Sequence, residues 1–253
     1  MKVDLVPAFS DNYLFVGSKG DGTCFVVDPG DATPVLDFLA KTGLTLTAIL
    51  VTHHHADHIG GVKELAASTD CKRIVGPSYD HDRITSLTEL VHNGDQIEVC
   101  GMHAQVFFIP GHTKGHICYF FSEEKTLFCG DTLFSAGCGR MFEGSKEQMW
   151  RSLSILRALP DDTRVYCAHE YTLANIRFAM SVDPENQDLI SYEDLCKKQR
   201  AAGNPTIPTT MGLEKKINPF LKADQSLFKA NLGLTNKSPA DVFGTLRKMK
   251  DEF

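Results

Sequence analysis

Thr52-His53-His54-His55-Ala56-Asp57-His58 is the decisive stretch of this chain. It follows a β-rich run and places four imidazoles and one carboxylate within six residues. His53 and His55 are two positions apart, so in extended backbone their side chains point to the same side. Asp57 and His58 follow where we expect the chain to turn into a helix, so they can aim at a second point nearby. The stretch therefore predicts a site for two divalent metal ions about 3.5–4 Å apart.

Two metal ions need more ligands than this stretch supplies, and three further motifs offer them at predicted strand ends. They are Gly111-His112-Thr113 after Val106–Ile109, Gly130-Asp131-Thr132 after Thr126–Cys129, and Ala168-His169-Glu170 after Val165–Cys167. Active-site residues commonly lie where strands give way to loops on α/β scaffolds. Imidazole and carboxylate ligands suit borderline divalent metals. Packing alone is a poor explanation, because clustered neutral imidazoles would be costly without an ion to coordinate.

The remaining pattern predicts a mixed α/β domain followed by a smaller helical one. Strand-like and helix-like segments alternate up to about residue 172, and Lys146–Leu159 has apolar residues at helical spacing. Beyond that point helix-like segments predominate, and Ser238 with Pro239 is typical of a helix start. We predict a catalytic domain over residues 1–172 and a helical, substrate-binding domain over residues 173–253.

Composition and charge exclude several classes of protein. Of the 253 residues, 42% are hydrophobic and 23% are charged, as in ordinary globular proteins. The net charge of -6 argues against nucleic-acid binding, which needs a basic face. We find neither a membrane-spanning apolar run nor the apolar core of a signal peptide. The eight cysteines are scattered without a C-x-x-C pair, so we expect buried free thiols in a reducing cytoplasm.

The order H-x-H-x-D-H, G-H-T, G-D-T and a late A-H-E resembles the metallo-β-lactamase superfamily. This resemblance implies an αββα sandwich, with two divalent metal ions at one edge of its two sheets. The implied ligands are His53, His55 and His112 for the first metal, Asp57, His58 and His169 for the second, and Asp131 bridging both. Zinc is the metal we expect, with iron or manganese as alternatives that accept the same ligands.

Features outside the metal motifs resemble the glyoxalase II family, the hydroxyacylglutathione hydrolases. They are Pro7-Ala8-Phe9-Ser10-Asp11-Asn12-Tyr13, Gly137-Cys138-Gly139, His169-Glu170-Tyr171-Thr172 and Arg247-Lys248-Met249-Lys250-Asp251. Arg247 and Lys250 share a helix face, and the resemblance implies that they hold the glycine carboxylate of glutathione. The other expected substrate contacts are Arg140, Met141, Phe142 and Tyr171. Arg140 stands where the family often has Lys, so the positive charge persists with a different geometry. Phe142 stands where some members have Tyr, so we expect a hydroxyl contact to be absent.

The resemblance implies hydrolysis of S-D-lactoylglutathione to D-lactate and glutathione, the second step of methylglyoxal detoxification. Asp57 and Asp131 would position the attacking hydroxide and balance the charge of the metals. Neither a serine nor a cysteine nucleophile is needed, so we expect Cys138 to be structural. The partner is then a small-molecule thioester, and we expect a monomer because nothing in the sequence demands an oligomer.

The sequence motifs leave other functions open. A persulfide dioxygenase of the same fold would use one iron and glutathione persulfide, and would leave His58 without a ligand role. A non-catalytic glutathione-binding module usually has a damaged ligand set, whereas here the set is complete. A β-lactamase is less favoured, because such enzymes typically act in an oxidising compartment. A nuclease is less favoured, because it needs a basic surface and this chain has a net charge of -6.

The remaining histidines have simpler interpretations. We expect His54 to pack against or support its neighbours, and His116 to make a hydrogen bond rather than bind a metal. His81, His92 and His103 lack a partner pattern, so we expect them at the surface.

Overall fold

The computed structural model describes residues 1–253, which fall into two compact units. The first unit comprises Met1–Phe108 and Gly115–Gly130, and the second comprises Ile109–Lys114 and Asp131–Phe253. Segments of the two units alternate along the chain, whereas the sequence predicts one division, after residue 172. That division stays a prediction. No helix is both long enough and apolar enough to cross a membrane.

The first unit contains two groups of strands. The first group is β1 (Lys2–Ala8), β2 (Asn12–Ser18), β3 (Thr23–Val27), β4 (Thr45–Leu50), β5 (Ile74–Pro77) and β6 (Glu89–Val91). These strands form a sheet in that order, antiparallel from β1 to β3 and parallel from β3 to β6. The second group is β7 (Gln96–Val99), β8 (Met102–Phe108), β9 (Ile117–Phe121) and β10 (Thr126–Gly130), paired antiparallel in succession.

Helices α1 (Ala32–Thr42), α2 (Ala56–Ile59) and α3 (Val62–Thr69) complete this unit with a 3-10 turn at Ser78–Asp80. Successive side chains of a strand point to opposite faces of the sheet, so each strand contributes to the packing on both faces. Leu14 and Val16 of β2 join an apolar cluster with Val35 of α1 and Leu65 of α3. Phe15, between them in sequence, points to the opposite face of the sheet and packs on Phe128 of β10, with 5.6 Å between ring centroids.

The same inner face carries Phe25 of β3, which stacks on Phe121 of β9 with ring centroids 5.3 Å apart. Both rings are fully buried, and burial of such a side chain contributes about 1.5–3 kcal/mol to folding. The two groups of strands therefore pack face to face, with α1 and α3 on the outer side of the first. This arrangement carries β4 directly into the histidine-rich stretch.

The second unit is mainly helical, as the sequence predicts for the C-terminal region. Its helices are α4 (Lys146–Arg157), α5 (Thr172–Val182), α6 (Gln187–Ala201), α7 (Met211–Ile217), α8 (Ser226–Asn231) and α9 (Pro239–Asp251). Its strands are β11 (Leu133–Phe134), β12 (Gly137–Cys138), β13 (Arg164–Cys167) and β14 (Thr209–Thr210), with a 3-10 turn at Pro219–Leu221. Ser238 caps α9 by accepting from Asp241 N, and Pro239 follows in the first turn, as predicted.

One buried carboxylate, Glu214 of α7, ties the parts of this unit together. Its Oε1 accepts hydrogen bonds from Thr209 Oγ1 at 2.8 Å and Ser135 Oγ at 3.1 Å. Its Oε2 accepts from Ala136 N and Asn218 Nδ2, both at 2.9 Å. Burial raises the pKa of Glu214, and these four donors offset part of that cost. The carboxylate thus holds the β11–β12 turn against α7.

Replacing this carboxylate should destabilise the fold strongly. Glu214→Ala leaves several buried donors without an acceptor, so we expect a loss of about 3 kcal/mol or more. For a chain of this size that corresponds to a melting temperature lower by about 6–12 °C, measurable by circular dichroism. Glu185→Ala is the control, because Glu185 is exposed. Equal melting temperatures for the two variants would contradict this role for Glu214.

Candidate active site

The histidine-rich stretch lies between β4 and α2 of the first unit. β4 ends at Leu50, and α2 begins at Ala56 with His55 in extended backbone as its N-cap. Asp57 and His58 occupy the first turn of that helix, as predicted. The ring centroid of His53 is 4.7 Å from that of His55 and 4.1 Å from that of His58. The first unit therefore brings its predicted ligands together.

Asp28, at the end of β3, orients this stretch. Its Oδ1 accepts from Thr52 N at 2.7 Å, and its Oδ2 accepts from Thr52 Oγ1 at 2.7 Å. The same Oδ2 lies 3.0 Å from His58 Nδ1, which therefore carries the proton and donates it. Since Thr52 Oγ1 donates to Asp28, it accepts from His53 Nδ1 at 3.0 Å. One carboxylate thus directs two imidazoles, both through Nδ1.

These bonds leave Nε2 as the acceptor nitrogen of His53 and of His58. Ligand atoms of Asp28, His53 and His58 all lie within 4.8 Å of one another. A carboxylate that accepts the second N–H of a ligand histidine is typical of metal sites. Asp28 is not among the residues predicted for the site, although its position at a strand end before Pro29-Gly30 is a signal that could have identified it.

Asp57 is held at its carboxylate and at its backbone. Its Oδ2 accepts from Asn12 Nδ2 at 3.0 Å and lies 3.4 Å from His58 Nε2. Its carbonyl oxygen lies so close to Gly30 that a Cβ there would be 1.9 Å away. Only glycine fits that position, because any larger residue would push the start of α2 out of place.

The second unit brings His112, Asp131 and His169 together. Asp131 Oδ2 lies 3.4 Å from His112 Nε2, and its Oδ1 lies 3.4 Å from His169 Nε2. His112 Nδ1 donates to Arg140 O at 2.7 Å, so its Nε2 is the acceptor nitrogen. Two acceptors that face each other beyond the usual hydrogen-bond length of about 2.7–3.2 Å suit a shared cation. The donor set therefore fits a divalent metal ion.

Aromatic rings fix the last of these imidazoles. The Tyr171 ring stacks on His169 with centroids 4.7 Å apart and an interplanar angle of 3°. Phe134 meets His169 edge-on at 5.8 Å. The following Glu170 accepts from Thr206 N at 2.9 Å and from Thr206 Oγ1 at 2.6 Å. The loop after β13 is therefore anchored on both sides of His169.

A cavity of about 380 Å³ in the second unit adjoins this cluster. Its lining residues are His112, Asp131, Phe134, Cys138, Arg140, Phe142, Tyr171, Ala174, Asn175, Arg247 and Lys250. It thus joins two predicted metal ligands to five of the six predicted substrate contacts. The sixth, Met141, lies instead in a neighbouring groove with Lys146 and Lys248, and its role stays a prediction.

Arg247 is a deeply buried cation of the cavity. Its side chain is only 6% exposed, and its Nη1 donates to Cys138 O at 2.9 Å. Its Nη2 donates to Asp251 Oδ1 at 2.9 Å, and Arg140 Nε donates to the same oxygen at 3.2 Å. Asp251, to which the sequence analysis assigned no role, therefore holds two arginines of the cavity in place.

Lys250 is the second cation of the C-terminal helix in this cavity. Its Nζ donates to Ala174 O at 3.0 Å. Burial, followed by repulsion from Arg247 and Arg177, lowers the pKa of Lys250 to about 8. The cavity therefore concentrates positive charge at one end, and an anion bound there would relieve that repulsion.

The remaining histidines and cysteines largely follow the sequence analysis. His81, His92 and His103 are exposed, as predicted. His116 is buried and stacks on His53 with ring centroids 4.6 Å apart, and its expected hydrogen bond stays a prediction. All eight cysteines are free thiols, and all except Cys100 are buried.

Comparison with known proteins places this geometry in a family. Residues 6–169 match the family model described as metallo-beta-lactamase superfamily, and residues 170–253 match hydroxyacylglutathione hydrolase C-terminus. A hydroxyacylglutathione hydrolase of Aliivibrio salmonicida (strain LFI1238) is 51% identical over 250 residues, which cover 98% of each chain. Another, of Synechococcus sp. (strain JA-2-3B'a(2-13)), is 49% identical over 254 residues and covers 100% of both chains.

Among solved structures, ETHE1 from Myxococcus xanthus aligns with a TM-score of 0.69 and 25% identity, covering 98% of this chain and 90% of that one. These matches confirm both the fold class and the family expected from the sequence motifs. The chain belongs to the metallo-β-lactamase superfamily and, within it, to the hydroxyacylglutathione hydrolases.

Proposed function

We propose that this protein hydrolyses 2-hydroxyacylglutathione thioesters, with S-D-lactoylglutathione as the substrate, to D-lactate and glutathione. This is the second step of methylglyoxal detoxification. The observation that carries the proposal is the single cavity in which His112 and Asp131 meet the cations Arg247 and Lys250. His112 and Asp131 suit the hydrolytic step, and Arg247 and Lys250 suit the anionic glutathione part of the substrate.

We further propose two divalent metal ions per chain, zinc or alternatively iron or manganese. Their ligands would be the predicted set of His53, His55, Asp57, His58, His112, Asp131 and His169. The orientation of three imidazoles supports this set, because His53, His58 and His112 each engage an oxygen through Nδ1. Bound divalent metals lower the pKa of water and polarise a carbonyl group, which is the chemistry that thioester hydrolysis needs.

In this proposal Asp57 and Asp131 orient the attacking water. Asn12 holds the carboxylate of Asp57, and the two oxygens of Asp131 face one imidazole each. Water adds to the thioester carbon, the C–S bond breaks, and the electron pair leaves with the sulfur of glutathione. A thiolate is a good leaving group, so no side-chain nucleophile is needed.

Cys138 lines the cavity but is poorly suited to be a nucleophile. Burial raises the pKa of its thiol to about 11, although the neighbouring Arg247 favours the thiolate. At neutral pH the thiol is therefore protonated. Its carbonyl oxygen has the more evident role, because it accepts a hydrogen bond from Arg247 Nη1 at 2.9 Å.

The cationic end of the cavity supports glutathione as the carrier. Arg247 presents a buried guanidinium, and such a fork matches a carboxylate in two parallel hydrogen bonds. Lys250 adds a second charge from the same helix. We propose that they hold the glycine carboxylate, while Arg140, Phe142 and Tyr171 contact the rest of the tripeptide. Remote contacts of this kind orient the thioester for attack.

We propose that the protein works as a monomer in a reducing cytoplasm. Its eight free thiols support the compartment, because an oxidising environment would favour their pairing. The proposed ligand set comes entirely from one chain, so no second copy is needed to complete it.

Removal of metal should abolish turnover. Hydrolysis of S-D-lactoylglutathione, followed at the thioester absorbance, should fall at least about 100-fold after chelation and return on adding zinc. The purified protein should contain two metal ions per chain. Turnover that survives complete chelation would overturn the hydrolase proposal. One iron per chain, with oxygen uptake on glutathione persulfide, would favour the dioxygenase instead.

Loss of the two C-terminal cations should weaken substrate binding selectively. Each hydrogen bond to a charged group contributes about 1.5–3 kcal/mol, so Arg247→Ala with Lys250→Ala should raise KM for S-D-lactoylglutathione at least about tenfold. A small thioester without glutathione should show little change. Lys248→Ala is the matched control, because that side chain is 79% exposed on the same helix. An equal loss on both substrates would refute the proposed role of Arg247 and Lys250 in holding the glycine carboxylate.

The low pKa of Lys250 predicts a pH dependence of binding. Because its pKa is about 8, the ammonium is charged below that pH and loses its charge above it. KM for S-D-lactoylglutathione should therefore rise several-fold, up to about tenfold, between about pH 7 and pH 9. Steady-state kinetics corrected for alkaline hydrolysis measure this. In Lys250→Ala the rise should disappear, and a rise of the same size there would assign it to another group.

A further inference from the structure

His54 stands between two proposed ligands but has partners of a different kind. Its Nδ1 lies 3.1 Å from Oδ2 of Asp80, the last residue of the 3-10 turn that follows β5. The Asp80 side chain is 0% exposed, and that of His54 is 17% exposed. The middle histidine of the triplet is therefore bonded to a buried carboxylate within the first unit.

Arg83 settles the direction of this hydrogen bond. Its Nη1 lies 3.0 Å from His54 Nε2 and 3.3 Å from His54 Nδ1. A guanidinium can only donate, so at the shorter contact Nε2 accepts, and Nδ1 carries the proton given to Asp80. The hydrogen bonds therefore run from half-exposed Arg83 through His54 to buried Asp80. The other carboxylate oxygen of Asp80, Oδ1, lies 4.0 Å from Arg83 Nη1.

Asp80 also packs against the segment on the far side of His53. A Cβ on Gly115 would lie 2.3 Å from Asp80 Cγ and Oδ2, so the carboxylate rests directly on the glycine backbone. The next residue, His116, stacks on His53 with ring centroids 4.6 Å apart. Asp80 therefore touches both the histidine-rich stretch and the segment whose imidazole packs on His53.

Stability is a poor explanation for this carboxylate. Transfer of an ionised carboxylate into the interior is costly, and Asp80 Oδ1 is buried without a hydrogen bond. An apolar side chain of similar size would fill the same space at lower cost. A buried acid that is only partly satisfied calls for a functional explanation.

We propose that Asp80 is a positioning residue that acts through His54, with Arg83 as the outer support, to hold His53 and His55 ready to bind metal. This inference rests on the proposed function only in taking those two histidines as ligands. Loss of a partner that directly orients a ligand typically weakens metal binding about 10–100-fold. Asp80 acts on the ligands only through His54, so we expect its loss to weaken metal binding about tenfold, the lower end of that range.

The test is zinc affinity in the metal-free full-length chain, measured by competition with a chromophoric chelator. Asp80→Asn and His54→Ala should each weaken zinc binding about tenfold, and the double variant should be no weaker than either. Such non-additivity marks residues that act along one path. His81→Ala is the control, because His81 is exposed and next to Asp80 in sequence, and it should bind zinc as the wild type does.

Thermal unfolding of the metal-free variants separates positioning from structure. Unchanged zinc affinity in Asp80→Asn beside a lower melting temperature would overturn the proposal, as would additive losses in the double variant. If Asp80→Asn does not fold, the more exposed Arg83 is replaced instead. Arg83→Ala should then weaken zinc binding about twofold to threefold. Unchanged zinc binding in that variant would overturn the proposal.

The outcome is separate from that of the proposed function. A wild type that binds zinc in an Asp80-dependent way but does not hydrolyse S-D-lactoylglutathione would reject the substrate and support the positioning role. A wild type that does not bind zinc would overturn the positioning role outright.

Discussion

The hydrogen bonds of Asp28 are the constraint on which the histidine-rich stretch depends. An imidazole has two ring nitrogens. A hydrogen bond donated by one of them fixes the tautomer and leaves the other nitrogen as an acceptor. Asp28 accepts from Thr52 N, Thr52 Oγ1 and His58 Nδ1, and Thr52 in turn accepts from His53. Two rings are thereby fixed in the same tautomer by one carboxylate, which itself has left-handed backbone with φ of 50°.

In the second unit the corresponding constraint is the positive charge of two neighbouring side chains. Arg247 and Lys250 are partly desolvated and near each other, which is unfavourable without an anion. Asp251 supplies one internal counter-charge and binds both Arg247 and Arg140 through one oxygen. That leaves the cavity cationic, with the guanidinium groups of Arg247 and Arg140 already held in place for the carboxylate that we propose binds there, which would lower the entropic cost of binding.

The sequence predicted much of this because its signals are local. Strand ends followed by His or Asp are visible in the chain itself, and the structure places His112, Asp131 and His169 at such ends, with Asp131 3.4 Å from each of the two imidazoles. The sequence gives little sign of helix α7, because the helix is short and begins Met211-Gly212, where glycine weakens helical spacing. Glu214 on that helix was missed with it, since nothing local marks a buried acid.

The sequence alone therefore determined the superfamily, the histidine and carboxylate motifs and the basic end of the chain, because each depends on residue identity at short spacing. Tertiary structure alone decided which groups support them. Asp28, Asp80 and Asp251 are ordinary acids in the sequence, and their hydrogen bonds join them to partners up to 111 residues away. Met141 adjoins Arg140 and Phe142 in sequence, yet only its two neighbours line the cavity. Adjacency in the chain does not fix the direction of a side chain, since that direction follows from packing and from hydrogen bonds made across the fold.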